Sequence, residues 1–138
     1  MGTIEVAAGI LIDKKNQILL AQRSKDKPFP LQWEFPGGKL FKNETSRHAL
    51  KRELKEELDI IIQNPKFLIH IEHDYELLKV KIDFFVVYSW LGHVRNNENQ
   101  ILKWCIYDCL SNMNLLEADL TVAEKIRDFI NKPIQINR

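Results

Sequence analysis

Gly38 to Ile60 reads GKLFKNETSRHALKRELKEELDI, and it sets Glu44, Glu53, Glu56, Glu57 and Asp59 at intervals that a turn followed by a helix brings around one centre. Glu53, Glu56 and Glu57 stand at i, i+3 and i+4, so at about 100° per residue they share one helical face. Leu50, Leu54 and Leu58 repeat every fourth position beside them, forming an apolar stripe for burial. Thr45 or Ser46 supplies an N-cap, because a hydroxyl accepts from the free amides of a first turn. Arg52, one position before Glu53 and four before Glu56, is close enough to hold a carboxylate in a fixed rotamer. Three carboxylates on one stripe repel one another unless water screens them or divalent cations neutralise them. Hard oxygen ligands suit Mg²⁺ or Mn²⁺.

The approach to this helix is Glu34-Phe35-Pro36-Gly37-Gly38-Lys39, a short aromatic strand entering a glycine pair. Without side chains, Gly37 and Gly38 let a ligand come close to the backbone.

These residues carry a family resemblance. Gly38, Glu44, Arg52-Glu53-Leu54, Glu56-Glu57 and Ile60 match the spacing of the Nudix box of the Nudix hydrolase superfamily. One position departs: the family pattern has glycine where this chain has Asp59. Aspartate tolerates the left-handed conformation that ends many helices, so the exchange reads as a change of cap that leaves the acidic set intact. The Glu34–Lys39 segment, the strand pattern before it, Glu98 in a polar loop and a final helix after Asp119 are similar to the MutT branch, which hydrolyses nucleoside triphosphates and includes the 8-oxo-dGTP diphosphatases.

The resemblance implies an α/β Nudix fold, a mixed sheet sandwiched between helices, with Mg²⁺ or Mn²⁺ as cofactor. It implies attack of water on an internal phosphorus, releasing a monophosphate and pyrophosphate. Carried over by position, Glu53, Glu56 and Glu57 are side-chain metal ligands and Gly37 lends its carbonyl, while Glu44 and Arg52 orient that cluster. Glu98 adds a ligand or serves as general base. Arg23, at a strand end, and Lys39 are candidates for phosphate, the Arg23 fork suiting bidentate contacts. Glu34, Phe35, Gly37 and Gly38 complete the substrate contacts.

Asp119 stands where the MutT pattern has an asparagine that reads the base. An ionised carboxylate accepts hydrogen bonds and donates none, which suits an amino group such as cytosine N4, unless burial keeps the carboxyl protonated. Asp119 also directly precedes Leu120, where it would make a helix N-cap.

The 138 residues, 45% of them hydrophobic, suit one domain covering residues 1–138. With 20 Lys and Arg against 19 Asp and Glu, the net charge of +1 gives no field for a stable nucleic-acid partner or a membrane. A small anionic substrate, a nucleoside triphosphate, is the expected partner, bound by a monomer or small homo-oligomer. The N-terminus MGTIEVAAGI lacks a basic region followed by a long apolar run, and Val6 spoils a myristoylation pattern, so the expected location is the cytoplasm. Cys105 and Cys109 lack a zinc pattern and read as buried thiols. His48, His70, His73 and His93 show no ligand spacing.

Elsewhere the patterning predicts a hairpin-like pair of strands, Ile4–Ile12 and Gln17–Gln22, around an Asp13–Asn16 turn. Further strands are expected at Phe67–Tyr75, Val80–Trp90 and Trp104–Tyr107. A polar loop follows at His93–Gln100, and a helix at Leu120–Ile130 turns Val122, Ala123, Ile126, Phe129 and Ile130 inward. Two classes of function fit: a MutT-like pyrophosphohydrolase acting on 8-oxo-dGTP or, alternatively, CTP, and a nucleotide-sensing domain without turnover. The complete acidic set favours the enzyme.

Overall fold

A computed structural model describes residues Gly2–Ile130. In chain order the elements are β1 (Gly2–Leu11), β2 (Gln17–Gln22), β3 (Trp33–Glu34), β4 (Gly37–Lys39), α1 (Ser46–Leu58), β5 (Ile61–Gln63), β6 (Lys66–Tyr75), β7 (Leu78–Val87), β8 (Ser89–Leu91) and β9 (Ile101–Ile106), then a 3₁₀ segment (Tyr107–Asn112) and α2 (Glu117–Ile130). A four-stranded mixed sheet runs β4-β1-β7-β6, with β1 and β7 parallel and the outer pairs antiparallel. Beside it lie an antiparallel sheet, β3-β2-β9, and the two-stranded β5-β8.

The alternation of β1 explains the layering. Ala7 and Leu11 face the core beneath α1, joined there by Leu19 of β2 and Phe85 and Val87 of β7. Ala8 and Ile10 face the opposite core beneath α2, with Leu20, Ile82, Phe84 and Val86. Both faces of the central strands are apolar because a helix covers each of them. On α1 the stripe of Leu50, Leu54 and Leu58 is fully buried. Gly9 brings the strand close to this helix: a Cβ there would stand 3.3 Å from Cδ1 of both Leu50 and Leu54.

Several expectations need correction. The Ile4–Ile12 and Gln17–Gln22 strands do not form a hairpin. They touch through a single bridge, Ile12 to Ile18, and then diverge into different sheets, β1 pairing with β7 and β2 with β9. Their apolar residues on both faces commit each strand to two cores, so long-range partners decide the pairing. The last helix starts at Glu117 rather than Leu120, which places Asp119 inside its first turn and removes it from the cap position. The Val80–Trp90 segment also breaks, β7 ending at Val87 before β8 begins. Cys105 is buried and Cys109 only half-buried, both as free thiols.

Leu54→Ala should lower the free energy of unfolding by about 2–5 kcal/mol, since the cavity would open between α1 and β1. Urea denaturation measures it, and a loss below about 1 kcal/mol would show that α1 is not packed in this way.

Candidate active site

Helix α1 is built to hold its acidic face still. Thr45 is the N-cap, its Oγ1 accepting from the His48 amide at 3.1 Å. At the other end Asp59 adopts the left-handed conformation, φ 58° and ψ 40°, and its amide donates to the Lys55 carbonyl. The expectation for this position holds.

Arg52 gathers the loop and the helix together. Its Nε donates to Glu44 Oε2 and its Nη2 to Glu44 Oε1, both at 2.9 Å, in a bidentate fork. Its Nη1 donates to Glu53 Oε2 at 2.8 Å and lies 3.6 Å from Glu56 Oε1. Nη2 also reaches the Lys39 carbonyl at 3.0 Å. The hydrogen bonds from Arg52, followed by the one from the Phe41 amide, hold the Glu44 carboxyl down at about 2. Glu44 is thus ionised and immobile, its side chain 6% exposed.

Glu57 has the opposite problem. It is buried, and desolvation, then its hydrogen bond to Glu53 and the charges of Glu53 and Glu98, push its carboxyl up to about 9. Glu98 reaches this neighbourhood because its loop is fastened to the end of α1. The amide of Arg95 donates to the Leu58 carbonyl, the amide of Asn97 to that of Glu57, and Asn97 Nδ2 to that of Glu56 at 3.2 Å. Asn97 escaped the sequence reading; its place in the polar loop His93–Gln100 was its only signal. Glu56 faces solvent beside Arg52, its side chain 54% exposed.

Among the described residues no three His, Cys, Asp or Glu side chains converge into a ready coordination shell. The donor set nonetheless suits a divalent cation. Three carboxylates, those of Glu44, Glu53 and Glu56, crowd one guanidinium, all donors are hard oxygens, and Glu57 lies buried against Glu53. The glycine pair supplies the opposite wall. A Cβ on Gly38 would fall 2.3 Å from Glu53 Cδ, and one on Gly37 would overlap the Ala7 carbonyl oxygen at 2.0 Å. Only glycine permits the backbone to press against Glu53 here.

Across that pair opens a cleft of about 520 Å³. Gly37, Gly38 and Lys39 form one end, and Val6, Val80 and Ile82 line an apolar wall. Arg23, Glu34 and Asp119 supply the polar groups. Asp119 is 3% exposed and its Oδ2 accepts from the Phe35 amide at 2.9 Å. Burial drives its carboxyl up to about 8; the Phe35 bond opposes this, and the nearby Glu34 charge adds to it. Arg23 donates through Nε to the Pro28 carbonyl at 2.8 Å and through Nη1 to Glu34 Oε1 at 3.1 Å. Its fork therefore braces the cleft wall before any ligand is considered. Burial raises the Glu34 carboxyl despite that pairing. Phe29 and Tyr75, whose rings pack 4.6 Å apart, close the far side and were not singled out from sequence. Tyr75 also accepts the Ala118 amide through its hydroxyl, tying β6 to α2.

The structure thus assembles two groups of sequence-predicted residues that meet at Gly37–Gly38. Glu44, Arg52, Glu53, Glu56, Glu57 and Glu98 gather along one side of α1. Arg23, Glu34, Phe35, Lys39 and Asp119 surround the cleft. Of the histidines, His48 Nδ1 lies 3.1 Å from Glu44 Oε2 and the His73 ring packs 4.5 Å from Tyr75, while His70 lies between Asp83 and Glu72.

Comparison with known proteins agrees with this architecture. The NUDIX domain profile matches residues 3–129, and the chain belongs to that family. It is 38% identical over 125 residues to an 8-oxo-dGTP diphosphatase of Buchnera aphidicola subsp. Schizaphis graminum, covering 91% of this chain and 94% of the relative. It is 33% identical over 124 residues to a CTP pyrophosphohydrolase of Escherichia coli K12, covering 90% and 91%. The solution structure of the E. coli ORF135 protein superposes with a TM-score of 0.81 at 30% identity, over 98% of this chain and 96% of that one. The expected α/β Nudix fold, a mixed sheet between helices, is what the chain adopts.

Asp119 gives a pH test. Unfolded, its carboxyl loses its proton near the ordinary 3.8; folded, it keeps it up to about 8. The unfolded state therefore binds fewer protons across this window, and stability falls as pH rises through it. Asp119→Asn keeps an acceptor for Phe35 and removes that loss. The variant should gain more than about 1 kcal/mol on the wild type between pH 5 and pH 8. Denaturant melts at both values check this, and a pH-independent difference would refute a protonated Asp119.

Proposed function

We propose that the chain, as one Nudix domain, is a divalent-metal-dependent, MutT-like nucleoside triphosphate pyrophosphohydrolase whose substrates include oxidised nucleotides such as 8-oxo-dGTP. The observation that carries this reading is the seam at Gly38, where Glu53 of the α1 carboxylate set lies against the wall of a cleft that also holds the buried acid Asp119. A nucleoside triphosphate would lie with its base in the apolar part and its phosphates toward α1 and Lys39.

Glu53, Glu56 and Glu57, with the Gly37 carbonyl, would hold Mg²⁺ or Mn²⁺, which supplies charge neutralisation and an acidified water. The remaining work belongs to the protein. Glu44 and Arg52 hold Glu53, and Glu98, whose charge acts on Glu57 from its fastened loop, would add a metal ligand or take a proton from water. Lys39 lies where it can meet phosphate oxygens. Asp119, protonated near neutral pH, can donate to a purine O6 and accept from an N–H, which supports the oxidised-purine reading. A second substrate class, a base with an exocyclic amino group such as CTP, is favoured whenever the same carboxyl ionises. The relative with CTP pyrophosphohydrolase activity makes that reading concrete.

Glu53→Gln should lower kcat by a factor on the order of a hundred or more while the thermal midpoint stays near that of the wild type. Near-normal turnover by the folded variant would remove Glu53 from the site. With Mg²⁺ and a panel of nucleoside triphosphates, the first products should be a monophosphate and pyrophosphate. Orthophosphate as first product, or full activity in chelator, would contradict the assignment.

A further inference from the structure

We infer that Phe41 is a positioning residue for the reaction: its ring covers one face of the Arg52 guanidinium and so fixes the rotamer of Glu53. This rests on the function proposed above. The guanidinium carbon of Arg52 lies 3.7 Å from the centroid of the Phe41 ring. All the hydrogen-bond donors of Arg52 lie in the guanidinium plane, where Glu44, Glu53 and the Lys39 carbonyl use them. The faces of that plane donate nothing, and an aromatic face is the partner that suits them.

Exposure shows which partner benefits. Phe41 is 60% exposed, an unfavourable position for a large apolar ring, whereas the side chains beneath it, Arg52 and Glu44, are 17% and 6% exposed. The ring keeps water off an ion pair and lowers the local dielectric around it, which strengthens the in-plane bonds. The backbone holds the ring in register. The Phe41 amide donates to Glu44 Oε1 at 2.9 Å, so ring and amide of one residue secure both members of the pair. From there the effect reaches the chemistry through one contact, Arg52 Nη1 to Glu53 Oε2 at 2.8 Å. With the ring gone, water reaches the open face, Arg52 samples other rotamers, and Glu53 loses its fixed partner.

Phe41→Ala should lower kcat by about three- to thirtyfold, with KM for the nucleotide within about twofold of wild type. Phe41→Tyr, which restores an aromatic face, should return kcat to within about twofold. In an Arg52→Lys background the effect of Phe41→Ala should shrink to less than half its logarithm, because the face it served is absent. A readout independent of turnover is solvent exchange of the Arg52 Nε–H by ¹⁵N NMR, without metal or nucleotide. Exchange should quicken by about tenfold or more in Phe41→Ala and stay slow in Phe41→Tyr. Unchanged kcat together with unchanged exchange in Phe41→Ala, or equal losses in the wild-type and Arg52→Lys backgrounds, would overturn the inference. If the wild type hydrolyses no nucleoside triphosphate, the proposed function falls while the exchange measurement alone still decides for or against Phe41.

Discussion

The two-pronged bond between Arg52 and Glu44 is what the arrangement of the site depends on. Glu44 belongs to the loop that leaves the glycine pair, and Arg52 belongs to the helix that carries the carboxylates. Their pairing closes a short circuit from β4 through the loop to α1, and it holds Gly38 against Glu53. Of the three remaining N–H groups, one donates to Glu53 and one to the Lys39 carbonyl. A lysine would supply charge at that point and lose the planar geometry that does all three. The loop, the glycine pair and the helix therefore act as one rigid unit.

Much of this unit was legible in the sequence because its determinants are local. Thr45, the Leu50-Leu54-Leu58 stripe and Asp59 lie within one stretch, and caps and helical periodicity depend on neighbours a few positions away. The strand partners were less accessible. β1 pairs in parallel with a strand more than seventy positions along the chain, and apolar residues on both of its faces gave no sidedness with which to choose between a hairpin and a crossover. Asp119 illustrates the same difficulty at a single residue. Its burial and its bond to the Phe35 amide arise from contact between α2 and the strand–glycine segment, so the sequence alone showed a polar residue near a helix start, which reads naturally as a cap.

The cleft divides its polar groups according to their charge state. Glu34 has Arg23 hydrogen-bonded to it to offset its burial, whereas Asp119 has the Phe35 amide and only the charge of Arg23, and is pressed further by Glu34. Two acids in one cleft thus experience unequal environments, and the less compensated one takes the proton. The Arg23 fork has a second bond, to Pro28, so the residue that sets this inequality also braces the segment bearing Phe29. The charge state of the cleft and the shape of its wall are coupled through one side chain.

Asp59 shows how a departure from the family pattern is absorbed and put to use. A non-glycine residue at φ 58° carries a conformational cost that glycine avoids, and Asp59 offsets it with side-chain contacts that glycine lacks. Its carboxylate pairs with Lys55 at 2.5 Å and approaches Arg95 at 3.8 Å. Exposed pairs of this kind are weak singly. Their placement gives them leverage, because the amide of Arg95 already donates to the Leu58 carbonyl and the amide of Asn97 to that of Glu57. The helix end, the aspartate and the loop are therefore joined at several adjacent points. Glu98, one residue beyond Asn97, inherits its position beside Glu57 from that seam. The residue that ends the box helix thus helps to hold the loop that carries Glu98, by a route the glycine pattern does not contain.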